Sequence, residues 1–340
     1  MRTKKKLPSQ ALAGEEGSSK TILQRYVVAK RNTQNILQFA PSWAGEMVGN
    51  VRDCWSWWKL RYYPATWEHS ELCQAVMGYS CKRYKLCQCC AIRRQTKVYH
   101  EIRAKVEALG LSASDMHLVT ITLKSSRQLG AMLQQLRDFY QSLRKERKNS
   151  VQRETYNALK NPWACLDGWI GRIEIAHTAS GWHPHFHFLV VPRPECKRLF
   201  AFAKGLHPHP YGDGSGWWGS DWEAALGRRL AAYTLGESYI VHSEQVEDSE
   251  NAIAEVSKYL FKFGGMPPAK VWEAHRLTQG KRLSNCGGCF FGLNLEPDEL
   301  LDVGADDSRP FWDFICRWDG LEYQYTQSGS YTPQNGEKVA

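Results

Sequence analysis

Apolar and polar positions change their period several times along this chain, and each change marks an element. "MHLVTITL" (116–123) alternates as a β-strand does. Leu129, Met132, Leu133, Leu136, Tyr140 and Leu143 then recur at helical spacing, with Ser125 or Ser126 as a cap. The basic run Arg144, Lys145, Arg147 and Lys148 is expected to close that helix, where cations suit the C-terminal dipole. "GWIGRIEIAH" (168–177) and "HPHFHFLVV" (183–191) flank "TASG" and read as a β-hairpin. "SDWEAALGRRLAAYTL" (220–235) opens with a capping box, Ser220 to Glu223, and predicts a helix. "SYIVHSEQV" (238–246) predicts a strand, and "DSENAIAEVSKYLFKFGG" (248–265) a helix stopped by Gly264 and Gly265. That order suits an α+β domain with one central, mainly antiparallel sheet flanked by helices.

The rest of the chain frames this domain. Residues 1–40 are polar and weakly periodic and read as a flexible arm. Residues 41–100 are dense in Trp, Tyr and Cys, residues 101–270 carry the α+β pattern, and residues 271–340 suggest no role. Prolines in "GLHPHPYGDGSGWWGS" (205–220) argue against a strand there and make its His207 and His209 incidental. With 340 residues, 43% hydrophobic and 23% charged, the chain has the composition of a globular protein of two or three domains. A net charge of +9 points to a polyanionic partner. No apolar run is long enough to span a bilayer and the N-terminus carries no apolar signal core, so the expected location is the cytoplasm, with no membrane partner. Eleven cysteines in such a compartment favour metal binding over disulfides.

Two clusters carry candidate chemistry. In the hairpin, His185 and His187 share one strand face while Phe186, Phe188 and Val190 share the other, so two imidazoles stand side by side as a metal-ligand pair. A turn centred between Ser180 and Gly181 sets Glu174 directly across from His187, at the roughly 5 Å Cβ separation of cross-strand neighbours. Two imidazoles and a carboxylate can hold one divalent ion and leave positions open for a phosphate oxygen and water. His183 and His177 are the other candidates for the third ligand. In the last helix Glu255, Tyr259 and Lys262 follow at spacings of four and three and are expected on one face. A phenol is a competent nucleophile towards a metal-polarised phosphodiester, Lys262 can hold the phosphate, and Glu255 can act as a general base or simply pair with Lys258 or Lys262. Further upstream, Cys73, Cys81, Cys87 and Cys90 suit a tetrahedral structural zinc, with Cys89 as an alternative ligand. "CGGC" (286–289) reads as a glycine turn with incidental cysteines.

The order "VTITL", "HPHFHFLVV", "EVSKYLFK" resembles the three motifs of plasmid rolling-circle replication initiators, the single-tyrosine HUH endonucleases of small bacterial plasmids. The resemblance covers roughly residues 70–265. It implies an HUH-type domain over residues 101–270, with Mg²⁺ or Mn²⁺ on His185 and His187, Tyr259 as the nucleophile and Glu255 as the water-activating carboxylate. It matches the family's cysteine segment, a CxxC followed by paired arginines, to Cys87, Cys90, Arg93 and Arg94, and so implies Zn²⁺ and DNA contacts there. The implied partners are plasmid origin DNA, as a single-stranded loop and flanking duplex, a host helicase and a single-strand-binding protein. The implied activity is nicking of one origin strand through a phosphotyrosine, priming of replication and rejoining at termination. An HUH relaxase or transposase and a non-catalytic zinc-dependent DNA-binding regulator are the alternatives, although in relaxases the tyrosine usually precedes the histidines.

Overall fold

The computed structural model describes residues 22–63, 72–152, 161–208, 216–238, 240–258, 261, 263–293 and 310–331; for 22–23, 72–76, 149–152, 202–208, 216–219, 264 and 331 it describes the backbone alone. In chain order the elements begin with helices α1 (Ile22–Gln38) and α2 (Gly45–Asp53), strands β1 (Trp57–Tyr63) and β2 (Leu72–Gly78), and helix α3 (Gln88–Ala108). Strand β3 (His117–Thr122), helix α4 (Leu129–Gln152) and the hairpin β4 (Leu166–Thr178) and β5 (Gly181–Pro192) follow. Next come β6 (Phe202–Pro208), β7 (Gly216–Ser220), α5 (Asp221–Tyr233), β8 (Val241–Gln245) and α6 (Ser249–Ser257). The chain continues through α7 (Pro268–Thr278), β9 (Ser284–Gly288), β10 (Phe311–Trp318) and β11 (Tyr323–Tyr331). Among the described residues no helix is long and apolar enough to cross a membrane.

The chain divides into two units, Met1–Arg94 with Asp298–Ala340, and Gln95–Pro297. The first is built on an antiparallel sheet in the order β11-β10-β1-β2. The region beyond residue 310 thus returns to complete the sheet of the cysteine-rich segment, and residues 22–38, expected as part of a flexible arm, form α1. Tyr26, Trp55, Trp58 and Tyr323 make the aromatic core, and the Tyr323 hydroxyl donates to the Trp55 carbonyl at 2.7 Å. Asp313 on β10 holds Lys59 and Arg61 of β1 at 2.6 and 2.9 Å.

The second unit is an α+β layer around a five-stranded antiparallel sheet, order β8-β3-β5-β4-β9. One face is mainly apolar: Val119, Ile121, Ile173, Phe186, Phe188 and Val190 are buried there, with His117 paired beside Val190. The helical stripe Leu129, Met132, Leu133, Leu136, Tyr140 and Leu143 on α4 is buried as its spacing requires, with the Tyr140 ring tilted against those of Phe186 and Phe188. On the opposite face only half is apolar. There Ile170, Leu189 and Val191 pack with Ala252, Ile253 and Val256 of α6 and Ile102 and Val106 of α3. The other half of that face carries the histidines.

Several local devices fix this arrangement. Ser220 and Glu223 cap α5 reciprocally, as expected. Asp248 caps α6 by accepting from the backbone N–H of Glu250 at 2.8 Å. Thr178 pairs with Gly181 around the two-residue turn Ala179–Ser180. Gly181 has φ +108°, and a Cβ there would lie 2.7 Å from the Ser126 carbonyl, so only glycine lets the chain after β3 close onto the start of β5. Contrary to the proline argument, His207 pairs with Trp217 in the β6–β7 ladder; His209 lies outside the described residues.

Candidate functional site

The hairpin register is the first correction. Glu174 pairs with His185, not His187, and Arg172 pairs with His187. The turn sits one residue earlier than expected, which moves the partner by two. A two-residue shift preserves side-chain parity, so Glu174 stays on the histidine face. His177 pairs with Trp182 on the opposite parity and leaves that face, whereas His183, paired with Ala176, stays on it.

Across the sheet, β3 supplies what orients the imidazoles. The Nδ1 atoms of His187 and His185 lie 3.1 Å from Thr120 Oγ1 and Thr122 Oγ1, and that of His183 lies 2.9 Å from Ser125 Oγ. Each histidine thus has Nδ1 engaged by a hydroxyl, a supporting contact that orients the ring and leaves Nε2 as the nitrogen for a ligand. The His185 and His187 rings lie 5.9 Å apart between centroids. His187 Nε2 lies 3.1 Å from Glu174 Oε2, a diagonal contact. The sequence signal for Thr120 and Thr122 is their alternation in "VTITL", at the period of the strand that pairs with the histidines.

Glu255 approaches this face from α6. Arg172, Glu174, His187, Glu255 and Lys258 line one narrow cleft. Arg172 is buried and its Nη1 donates to the Ser257 carbonyl at 2.9 Å, tying the end of α6 to the sheet. Glu255 is paired with Lys258. The helix ends at Ser257, earlier than expected, and Lys258 leaves it with ψ 161°. Tyr259 and Lys262 lie outside the described residues. Their described neighbours are tied to β4, Ser257 through Arg172 and Phe261 through a bridge to Ile175.

Among the described residues, the one group of three or more metal-ligating side chains with all ligand atoms within 4.8 Å is Cys54, Cys81, Cys87 and Cys90. His185, His187 and Glu174 do not converge to that degree. The cysteine set is the second correction: Cys54, at the end of α2, takes the place expected for Cys73, which is on β2 with its side chain outside the described residues. Cys89 is buried but is not one of the four. Sulfurs of Cys54 and Cys90 lie 3.4 Å apart, those of Cys81 and Cys90 3.6 Å, and those of Cys87 and Cys54 3.6 Å. Four sulfurs at about 2.3 Å from a central ion stand roughly 3.8 Å apart, so this cage fits tetrahedral zinc. Hydrogen bonds from Cys54 and Cys81 pull the Cys90 thiol far down, while hydrogen bonding with Cys54 pushes Cys87 well up. Lys30, unassigned from sequence, is buried beside the cage and donates to the carbonyls of Arg52, at 2.6 Å, and Cys54. Burial lowers its pKa, and the thiols of Cys89, Cys87 and Cys54 oppose that shift.

Arg93 and Arg94 lie on α3 just beyond the last cage cysteine, with the Arg93 guanidinium 5.3 Å from the Trp55 ring. "CGGC" forms β9 and its turn: a Cβ on Gly287 would lie 2.3 Å from the Trp169 ring, so the glycines serve close packing.

No family model, curated protein or solved structure matches this chain.

Proposed function

We propose that this chain is a metal-dependent, site-specific single-strand DNA endonuclease and strand transferase of the HUH type, acting as a plasmid rolling-circle replication initiator. The observation that carries the reading is the ordered histidine row, with Nδ1 of His185 and His187 held by Thr122 and Thr120 and Glu174 on the same face. The donor set suits a divalent ion, and Mg²⁺ or Mn²⁺ bound there would polarise a phosphodiester. Tyr259 follows α6 between two residues tied to the strand that bears Glu174.

In this reading the phenolic oxygen of Tyr259 attacks phosphorus and gives up its proton to a neighbouring base. The bond from phosphorus to the 3′ oxygen breaks, the 5′-phosphate stays on the tyrosine, and the departing oxygen takes up a proton to become the priming 3′-OH. Lys262 steadies the phosphate. At termination Glu255 accepts a proton from the water that hydrolyses the phosphotyrosine, once its pairing with Lys258 opens. Arg93 and Arg94 contact DNA beside the zinc cage. Origin DNA is the substrate, with a host helicase and single-strand-binding protein as partners, in the bacterial cytoplasm.

Replacing both His185 and His187 with alanine tests the reading: nicking of the origin strand and Mn²⁺ affinity should disappear together, and full metal-dependent nicking by the double variant would reject it. A second reading, a zinc-dependent DNA-binding regulator without catalysis, is favoured by one observation, that among the described residues the cysteines alone converge closely. It requires binding without nicking.

A further inference from the structure

The basic run on α4 has no part in the site above, and its expected explanation fails. The helix continues to Gln152, so Arg144, Lys145, Arg147 and Lys148 do not sit in its last turn and are not there to offset the helix dipole. Instead they form one wall of a groove of about 530 Å³, whose other wall is β9 and its turn. Among the described residues, no carboxylate lines the groove. The nearby Glu146 is drawn off by Arg229.

The groove is built, not merely basic. Trp169 forms its floor, buried and donating from Nε1 to the Tyr140 hydroxyl at 2.8 Å. The Arg147 guanidinium lies 5.0 Å from that ring and donates to the Leu166 carbonyl at 3.2 Å, which anchors it. Gly288, at φ +63°, would place a Cβ 1.8 Å from the Asp167 carbonyl, so the turn is pressed onto β4. The Phe291 backbone N–H donates to the Gly288 carbonyl at 2.9 Å. This tight turn presents the Phe291 ring at the groove, 74% exposed, opposite the exposed Arg144, Lys145 and Lys148. A lone exposed phenylalanine needs no explanation. One on a tight turn, across a groove from a row of cations with no carboxylate among its described lining, has the composition of a stacking platform beside a phosphate track.

We propose that this groove binds a segment of single-stranded DNA, with a base stacked on Phe291 and phosphates held by Arg144, Lys145 and Lys148. Arg144 and Lys148 are about 6 Å apart along the helix axis, the scale of one nucleotide step. Duplex DNA is disfavoured because its bases are already stacked and cannot reach the ring. The inference deepens the endonuclease reading, which supplies DNA as the polymer, by adding a contact for unpaired strand outside the nicking site.

The test uses the full chain carrying Tyr259→Phe, without added divalent ion, so that no cleavage contributes. Fluorescence anisotropy is measured with a labelled oligothymidylate, its duplex with oligoadenylate, and oligouridylate. Phe291→Ala should weaken oligothymidylate binding about 5- to 150-fold, the worth of one base–aromatic stack, and change duplex binding less than about twofold. Phe291→Trp should restore it. Lys145→Gln with Lys148→Gln should lower the slope of log K against log salt by about 1.4, two single-strand phosphate contacts. Unchanged binding by Phe291→Ala, equal losses on single strand and duplex, or a Phe291-dependent preference for oligouridylate would each overturn the proposal. Nicking by the parent chain is scored separately. If it never nicks but the Phe291 effect persists, the groove stands and the endonuclease reading falls; nicking without a Phe291 effect on binding is the reverse.

Discussion

His187 Nε2 lies 3.1 Å from Glu174 Oε2, although these residues are not cross-strand partners. Glu174 pairs with His185, so the carboxylate leans diagonally along the hairpin and can reach either imidazole. Behind the imidazoles stand the hydroxyls of Thr120 and Thr122. Thr120→Val and Thr122→Val keep the strand shape and remove only the orienting contact. Each should lower Mn²⁺ affinity about 10- to 100-fold, the usual worth of such a supporting partner. Isothermal titration with Mn²⁺ checks this, and affinities equal to the parent would show that the histidine row holds no metal.

The cysteine cage should contain one zinc per chain purified without added metal. Cys54→Ser should lose it and Cys73→Ser should keep it, as read by elemental analysis. Because binding energy at structural zinc sites is largely folding energy, a chelator should first raise amide exchange around Cys81–Cys90. A metal-free chain with normal exchange there would rule the site out.

Substituting Glu255 tests whether the two proposed chemical steps have different requirements. If it is the base for hydrolysis, Glu255→Ala should form the covalent complex at near-parent rate and slow its decay by about 10²- to 10⁴-fold. If its pairing with Lys258 is its whole role, formation and decay should slow together. Time courses on a labelled oligonucleotide distinguish the two.

His117 gives the fold an acid weakness. Its ring packs 4.8 Å from Phe200, and burial pushes its pKa down to about 4. Above the unfolded value near 6.5 the ring is neutral in both states and costs nothing. As pH falls below that value the unfolded chain takes up the proton first, so stability drops until about pH 4, by up to about 3 kcal/mol. His117→Phe should remove this part of the acid sensitivity. Urea midpoints at pH 7.5 and 5 should differ less in the variant than in the parent; equal differences would assign the effect elsewhere.

What the sequence made legible was what local period carries. The hairpin, the buried stripe of α4 and the cap of α5 follow from spacings of two, three and four residues, and all three form. The two-residue register error left the site face intact because strand parity survived it. The end of α6 was hidden because apolar residues at 260, 261 and 263 fit a helix or an extended chain equally well, and the tie of Arg172 to Ser257 comes from another strand. Cys54 was missed for a related reason: it lies across a strand pair from Cys81, and spacing within one run cannot reveal a ligand delivered by folding. The same holds for β10, whose partner β1 lies some two hundred and fifty residues earlier, a pairing that no local pattern announces.

The central claim is that Tyr259 is a nucleophile towards DNA. The most direct measurement incubates the full chain with its origin strand and Mn²⁺, digests the product, and maps any nucleotide-modified peptide by mass spectrometry. The account predicts a 5′-phosphate linked to Tyr259, absent from Tyr259→Phe although that variant still binds the strand. An adduct on another tyrosine, or one that survives in Tyr259→Phe, would contradict it.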